Sequence, residues 1–150
     1  MRLVVQRVTG ASARSGDELL GEIGPGAVVL VGIGGDDTPE IADRMADKLL
    51  GLRYFEDDQG RTNVDIFDAG GAFLVVSQFT LYADLRRGRR PGFTRAALPE
   101  AATPLVDRFV ERLAGHGVGV ETGRFGADMA VELVNDGPFT LVIDSDHDLA

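Results

Sequence analysis

The sequence predicts an α+β fold: a mainly antiparallel or mixed β-sheet, free to curl toward a barrel, with two helices packed on it. Three observations predict it. Apolar runs of strand length recur along the chain, at 2–8, 27–33, 72–79 and 138–143. Only two segments carry the apolar spacing of an amphipathic helix. Strands therefore outnumber helices, and no repeat, linker or low-complexity segment divides the chain. At 150 residues it is one domain, 1–150, and a chain of this length buries roughly 68–70% of its unfolded surface.

The elements follow in order. Residues 2–8 read as a strand, and 11–15 and 18–23 as a hairpin around Gly16-Asp17. Residues 27–33 are continuously apolar, a buried strand. Gly34-Gly35-Asp36-Asp37 turns the chain, Thr38 is a good N-cap and Pro39 suits the first helical position. Ile41, Met45 and Leu49 then repeat every four residues, so one face of this helix meets a sheet. Residues 52–56 and 62–66 make short strands around the Asp57-Asp58-Gln59-Gly60 turn. Residues 72–79 are the central strand and 84–95 a loop. The second helix begins at Pro99 or Pro104 and runs to about Ala114, with Leu105, Val106, Phe109, Val110 and Leu113 as its stripe. Residues 117–121, 128–134 and 138–143 complete the strands.

Composition narrows the function. There is no cysteine, hence no disulfide, zinc–thiolate site or thiol nucleophile. The run from Met1 enters a strand pattern without a signal-peptide core, and no apolar run reaches the ~20 residues of a membrane span. A cytoplasmic protein with no membrane partner is expected. The net charge of −9 argues against a general nucleic-acid binder, DNA included. Yet Arg86, Arg87, Arg89, Arg90 and Arg95 crowd one stretch, which suits a partner that is anionic at one end. Asp144, Asp146 and Asp148 load the C-terminus, and 145–150 reads as a flexible acidic tail.

Ser77-Gln78-Phe79-Thr80-Leu81 closes the apolar run Phe73-Leu74-Val75-Val76. Strand alternation sets Ser77 and Phe79 on one face and Gln78 and Thr80 on the other, unless the strand ends or bulges here. Free backbone N–H groups at a strand end can hold an oxyanion; a plain capped strand exit is the other reading. A hydroxyl nucleophile at Ser77 or Thr80 needs a base. The two histidines, His116 at a helix end and His147 in the tail, do not offer one. Gly137-Pro138 lies between two apolar runs and reads as an ordinary trans turn, since only ~5–6% of X-Pro bonds are cis. Arg7 sits inside a strand, where a charge needs a partner unless it faces solvent. Phe125 and Met129, four apart, read as core packing. Gly32-x-Gly34-Gly35 fits no phosphate-loop pattern and reads as a tight turn, and Asp36 and Asp37 alone cannot hold a metal. No cofactor and no metal are expected.

Ser77-Gln78-Phe79-Thr80-Leu81 and Asn135-Asp136-Gly137-Pro138-Phe139-Thr140 together resemble the motif pair of the D-aminoacyl-tRNA deacylases, roughly SQFTL and N-x-G-P-x-T. Val5-Gln6-Arg7-Val8-Thr9, Arg89-Arg90-Pro91-Gly92-Phe93 and Thr122-Gly123-Arg124-Phe125-Gly126-Ala127-Asp128-Met129 extend the likeness, in order, through Ile143. The resemblance implies a β-barrel-like core with outer helices, in a homodimer. It implies hydrolysis of the ester joining a D-amino acid to the 3′-terminal adenosine of tRNA, with water as nucleophile, at Ser77, Gln78, Phe79 and Thr80. It implies a cis Gly137-Pro138 bond whose carbonyls enter the partner subunit's pocket and exclude L-aminoacyl groups. Glycyl esters, lacking a side chain, would escape such a wall. By resemblance Arg7 braces that loop and Phe125 and Met129 line the adenosine pocket. Arg86, Arg87, Arg89 and Arg90 would then meet acceptor-stem phosphates. Phe139 departs from the family pattern, which often carries a smaller β-branched residue there; its ring either narrows the pocket or packs behind it. Two rivals stay open, a non-catalytic RNA-binding module on the same barrel and a deacylase of different chirality.

Overall fold

The computed structural model describes residues 1–149. Its frame is one long strand, β1 (Arg2–Ser15). The first half of β1 pairs antiparallel with β3 (Gly26–Gly32) and its second half with β2 (Glu18–Ile23). Its other edge pairs along its length with β8 (Ala130–Asp144). The separate strands expected at 2–8 and 11–15 are thus one strand. The register with β8 slips around Gly10 without ending the ladder, because a bulge bends a strand and increases its twist. The strands expected at 128–134 and 138–143 are likewise one element.

β3 pairs parallel with β6 (Ala72–Ser77), and β6 pairs parallel with β7 (Gly119–Thr122). The helices α1 (Pro39–Gly51) and α2 (Pro99–Gly115) lie in these crossovers. Thr38 caps α1 by accepting from the Ile41 N–H, and α2 starts at Pro99, leaving Pro104 inside it. Phe55–Glu56 and Thr62–Val64 form the separate small hairpin β4–β5.

Both faces of the central strands are covered, which is why they read as unbroken apolar runs. Val29, Val31, Phe73 and Val75 pack with Met45 and Leu49 of α1 and Phe109 and Leu113 of α2. Val28, Leu74 and Val76 turn the other way, onto Val8, Ala11, Ala13 and Ile23. The sheet closes on itself at Gly21 of β2: a Cβ there would lie 2.8 Å from the Thr122 carbonyl of β7 and 3.2 Å from Leu74 Cδ1. That close approach gives the mixed sheet its barrel-like curl.

The chain end differs from the expected loose tail. Ser145–Asp148 form the short helix α3, capped by Asp144, which accepts from the Asp146 N–H at 3.0 Å. Arg2 donates to Asp144 at 2.8 Å and the Ser145 N–H to the Met1 carbonyl at 2.9 Å. Ala150 lies outside the described residues.

The outer surfaces of α1 and α2 are joined by two bidentate pairs, Arg108–Asp43 and Arg112–Asp47, at 2.7–2.9 Å. The arginine hydrogen bonds hold both carboxyls below their ordinary value. For an acid depressed in the folded state, the linked stability is present above the ordinary aspartate range, about 4, and lost as pH falls through the depressed value. The Asp43→Asn/Asp47→Asn double variant is therefore expected to lose less Tm between pH 6 and pH 2 than the parent. Thermal melts across that range check it; equal slopes would show that the pairs contribute nothing, the usual fate of exposed ion pairs.

Candidate active site

The central strand stops two residues earlier than its sequence suggests. The Gln78 N–H makes a last cross-strand bond to the Val31 carbonyl at 2.7 Å. The chain then winds into a 3-10 helix, Phe79–Tyr82, closed by Leu81 N–H to Gln78 O at 3.3 Å and Ala83 N–H to Thr80 O at 3.0 Å. A 3-10 turn leaves its first N–H groups without intrahelical partners. Among the described residues, the Phe79 and Thr80 N–H groups have no acceptor. Tyr82 anchors the turn. A Cβ on Gly34 would lie 2.8 Å from its Oη, so Gly34 leaves room for the tyrosine. Asp37 accepts from the Gly34 N–H at 2.6 Å, the tight turn that the glycines suggested.

This strand exit opens into a cavity of about 570 Å³. Its floor is apolar, including Val31, Val76 and Val106; Ser77, Gln78 and Phe79 form one side and Phe125 and Met129 another. Phe79 is 56% exposed and meets Phe93 edge to face, with ring centroids 4.9 Å apart. The Phe125 loop is shaped by Met129, whose sulfur accepts from the Arg124 N–H at 3.4 Å and leaves no room for a side chain at Gly123. Phe125 is an exposed rim residue rather than the core residue its spacing suggests, while Met129 is half-buried and packs against the Val28, Leu74 and Val76 side of the sheet. Asp128 is the one carboxylate in the lining. In the sequence it stands only as a member of the Thr122–Met129 motif, with no role of its own. Thr80 is not in the lining; its Oγ1 accepts from Gln78 Nε2. His116 faces Asp47 at 3.6 Å and His147 faces Asp144 at 3.9 Å, so each has a local partner away from the cavity.

The Gly137–Pro138 loop adds nothing to the cavity of its own chain. Gln6 pairs with Thr140 and Val8 with Asn135, so Asp136, Gly137, Pro138 and Phe139 stand opposite Arg7 alone. They leave the ladder as a four-residue excursion. The Gly137–Pro138 peptide is cis. Arg7 is 5% exposed. It donates to the Asp136 carbonyl at 3.1 Å and the Tyr54 carbonyl at 2.8 Å, and its Nε lies 3.3 Å from the Asp136 carboxylate. Its guanidinium stacks 4.8 Å above the Phe139 ring, which in turn stacks on Tyr54. Phe139 therefore packs behind the loop.

The arginines stand on a closed loop. Asp84 and Gly92 exchange both backbone hydrogen bonds, at 2.7 and 3.0 Å. Arg86 folds back onto Asp84 through two side-chain bonds at 2.9 and 2.7 Å, which hold the Asp84 carboxyl well below the usual carboxylate range. Arg87, Arg89 and Arg90 are exposed and, among the described residues, have no carboxylate within ion-pair distance. No group of three or more His, Cys, Asp or Glu positioned for a metal ion occurs among the described residues, and no helix among them is long and apolar enough to cross a membrane.

The model of the D-Tyr-tRNA(Tyr) deacylase family matches residues 4–144. The chain belongs to this family. A D-aminoacyl-tRNA deacylase of Symbiobacterium thermophilum is 60% identical over 146 residues, 97% of each chain. One from Bacillus licheniformis is 53% identical over 97% of this chain and 99% of its own. Among solved structures, the c-Myc DNA Unwinding Element Binding Protein superimposes with a TM-score of 0.90 at 38% identity, covering 96% of this chain and 98% of that one. A probable eukaryotic D-amino acid tRNA deacylase matches with a TM-score of 0.81 over 95% and 97% of the two chains; at 17% identity it shares the fold. The deacylase family thus accounts for the order of the motifs and for the mixed, barrel-like sheet that carries them.

Proposed function

We propose that the chain is a D-aminoacyl-tRNA deacylase that hydrolyses the ester between a D-amino acid and the 3′-terminal adenosine of tRNA. Family membership over residues 4–144 carries this reading. The cavity at the strand exit receives the adenosine, with Phe125 and Met129 against the base; an aromatic face stacks on any base. Water attacks the ester carbonyl carbon. The N–H of Phe79, which lines the cavity, receives the resulting oxyanion, with the free Thr80 N–H next to it in the same turn; such preorganised donors act without reorganisation as charge develops. The tetrahedral species expels the ribose oxygen, which takes up a proton. With no histidine at the cavity, the neighbouring ribose hydroxyl of the substrate assists. Ser77 and Gln78 shape this wall.

The Gly137 and Pro138 carbonyls complete the site from a second copy of the chain. The observation favouring this is that none of Asp136, Gly137, Pro138 and Phe139 lines the cavity of its own chain, while the loop's support, Arg7, is buried. The long edge strand β8, with Val134 and Val142 62% and 72% exposed, offers the surface for that pairing. A main-chain wall has no side chain to swing aside, so an L-configured Cβ pressed on it costs roughly 1–3 kcal/mol, and each ~1.4 kcal/mol is tenfold. Glycyl-tRNA, with no Cβ, is admitted. Incubating the protein with D-tyrosyl-, L-tyrosyl- and glycyl-tRNA tests this. Ester loss from the D and glycyl substrates, with the L substrate spared, is expected. Binding without ester loss would favour a non-catalytic RNA module, and loss of the L ester a different chirality.

Arg87, Arg89 and Arg90 meet acceptor-stem phosphates, with Arg86 contributing less because Asp84 neutralises it. The Arg87→Ala/Arg89→Ala/Arg90→Ala variant is expected to raise KM for D-tyrosyl-tRNA with kcat little changed. Its binding should also lose salt dependence by roughly 0.7–0.9 in log–log slope per lost phosphate contact. An unchanged KM and slope would remove the loop from the interface.

A further inference from the structure

We infer that Asn135 is a positioning residue for chiral discrimination: its carboxamide fixes the stance of the Gly137–Pro138 peptide. The inference rests on the reading of that peptide as the wall. Asn135 is the last paired residue before the excursion, opposite Val8. Its Nδ2 donates to the Arg7 carbonyl at 2.9 Å and to the Phe139 carbonyl at 2.9 Å, while its Oδ1 accepts from the Phe139 N–H at 3.2 Å. One side chain thus joins both feet of the loop to each other and to the strand beneath. Without it, the Arg7 and Phe139 carbonyls and the Phe139 N–H, which the ladder cannot reach here, lose these partners in a part-buried setting.

Nothing else sets the loop's height above the sheet in the same way. Arg7 Nε meets both the carbonyl and the carboxylate of Asp136, and the Phe139 ring lies on the Arg7 guanidinium. Both contacts tolerate sliding: two oxygens of one residue pivot about a single nitrogen, and a stacked cation slides along a ring. The three bonds of Asn135 reach two backbone segments and fix the distance between them. A wall that discriminates by sub-ångström crowding needs that fixed distance, because a loop able to recede admits the wrong hand.

Asn135→Asp keeps the shape and the Oδ1 acceptor but replaces the two donated hydrogen bonds with a carboxylate oxygen facing two carbonyls. The experiment measures kcat/KM on D- and L-tyrosyl-tRNA for the parent, Asn135→Asp and Gly137→Ala, with Tm and sedimentation of each. The D:L ratio is expected to fall at least tenfold in Asn135→Asp at unchanged oligomeric state. A folded Asn135→Asp whose D and L rates fall in parallel, leaving the ratio intact, overturns the inference, because a merely structural residue behaves that way. If Gly137→Ala changes the ratio and Asn135→Asp does not, the clamp fails and the wall stands. If neither changes it, the reading of the wall fails and takes the clamp with it. Should Asn135→Asp not fold, Asn135→Ser carries the same comparison: its shorter side chain cannot span the loop, and an unchanged ratio again overturns the inference.

Discussion

Gly137→Ala is expected to lower kcat/KM on D-tyrosyl-tRNA by about 100-fold or more, the scale that ~1 Å misplacement near a reacting centre produces. Gly137 has φ +144°, outside the range where an L side chain rests, so alanine is strained there even before contacts are counted. Its Cβ would lie 2.7 Å from the Phe139 nitrogen, 3.1 Å from Phe139 Cβ and 3.4 Å from Arg7 Nη2. Two of these atoms belong to the loop's own backbone neighbourhood and the third to its buried support. The Gly137–Pro138 carbonyls must therefore shift. Single-turnover deacylation of D- and L-tyrosyl-tRNA, with Tm as the folding control, reads the effect. An unchanged rate in a folded variant would show that the loop forms no part of the site.

Phe79→Pro is expected to reduce kcat a further 10²–10³-fold, roughly, beyond whatever Phe79→Ala costs, the range measured for loss of one oxyanion donor. The comparison isolates one N–H. Both variants lose the ring and its edge-to-face contact with Phe93; only proline removes the amide hydrogen. The backbone accepts it, since Phe79 is the first residue of the 3-10 helix and Gln78 before it, with φ −146° and ψ 84°, lies outside the α region that a following proline disfavours. Thr80→Ala in the same series should keep substantial turnover, because its hydroxyl is bonded to Gln78 and does not line the cavity. Equal rates for the proline and alanine variants would move the oxyanion site elsewhere. Loss of all activity in a folded Thr80→Ala would restore the hydroxyl as nucleophile.

Local chemistry made several elements legible in advance. Thr38-Pro39 marks a helix start by capping and by a preset φ, and the apolar stripes of both helices fall on the faces they bury. The runs at 27–33 and 72–79 read as buried strands, and their apolar stretches are unbroken because both faces of β3 and β6 are covered. Where sequence reading erred, long-range pairing decided. The strands read at 2–8 and 11–15 are one, because β8 pairs with both across Gly10. The alternation of Phe73 to Phe79 continued on paper, whereas Gln78 is the last residue that β3 can pair. The tail read as flexible from residue 145 begins in the short helix α3, whose cap Asp144 is held by Arg2, 142 residues away in sequence.

The site divides in the same way. Arg7 stands out because a charge inside an apolar strand needs a reason, and the Asp136 and Tyr54 carbonyls with the Asp136 and Glu56 carboxylates around its buried guanidinium supply one. The cavity residues were visible as motifs, but their meeting depends on the turn after Ser77 and on the Met129 sulfur, neither of which has a local signature. Asn135 and Asp128 were invisible as individual residues: one acts across an excursion that only the β1–β8 register reveals, and the other is notable only by its place in the cavity lining.

Subunit complementation tests the proposed shared site most directly. In that proposal, Gly137→Ala spoils only the donated loop, and Phe79→Pro spoils only the receiving cavity. Mixing the two inactive proteins through dissociation and reassociation makes heterodimers in which one cavity and one loop are both intact. With random pairing, about half the dimers are mixed and each carries one good site of two, so about a quarter of parental D-tyrosyl-tRNA hydrolysis should return. No recovery from a demonstrably mixed population would contradict a wall supplied by the second copy.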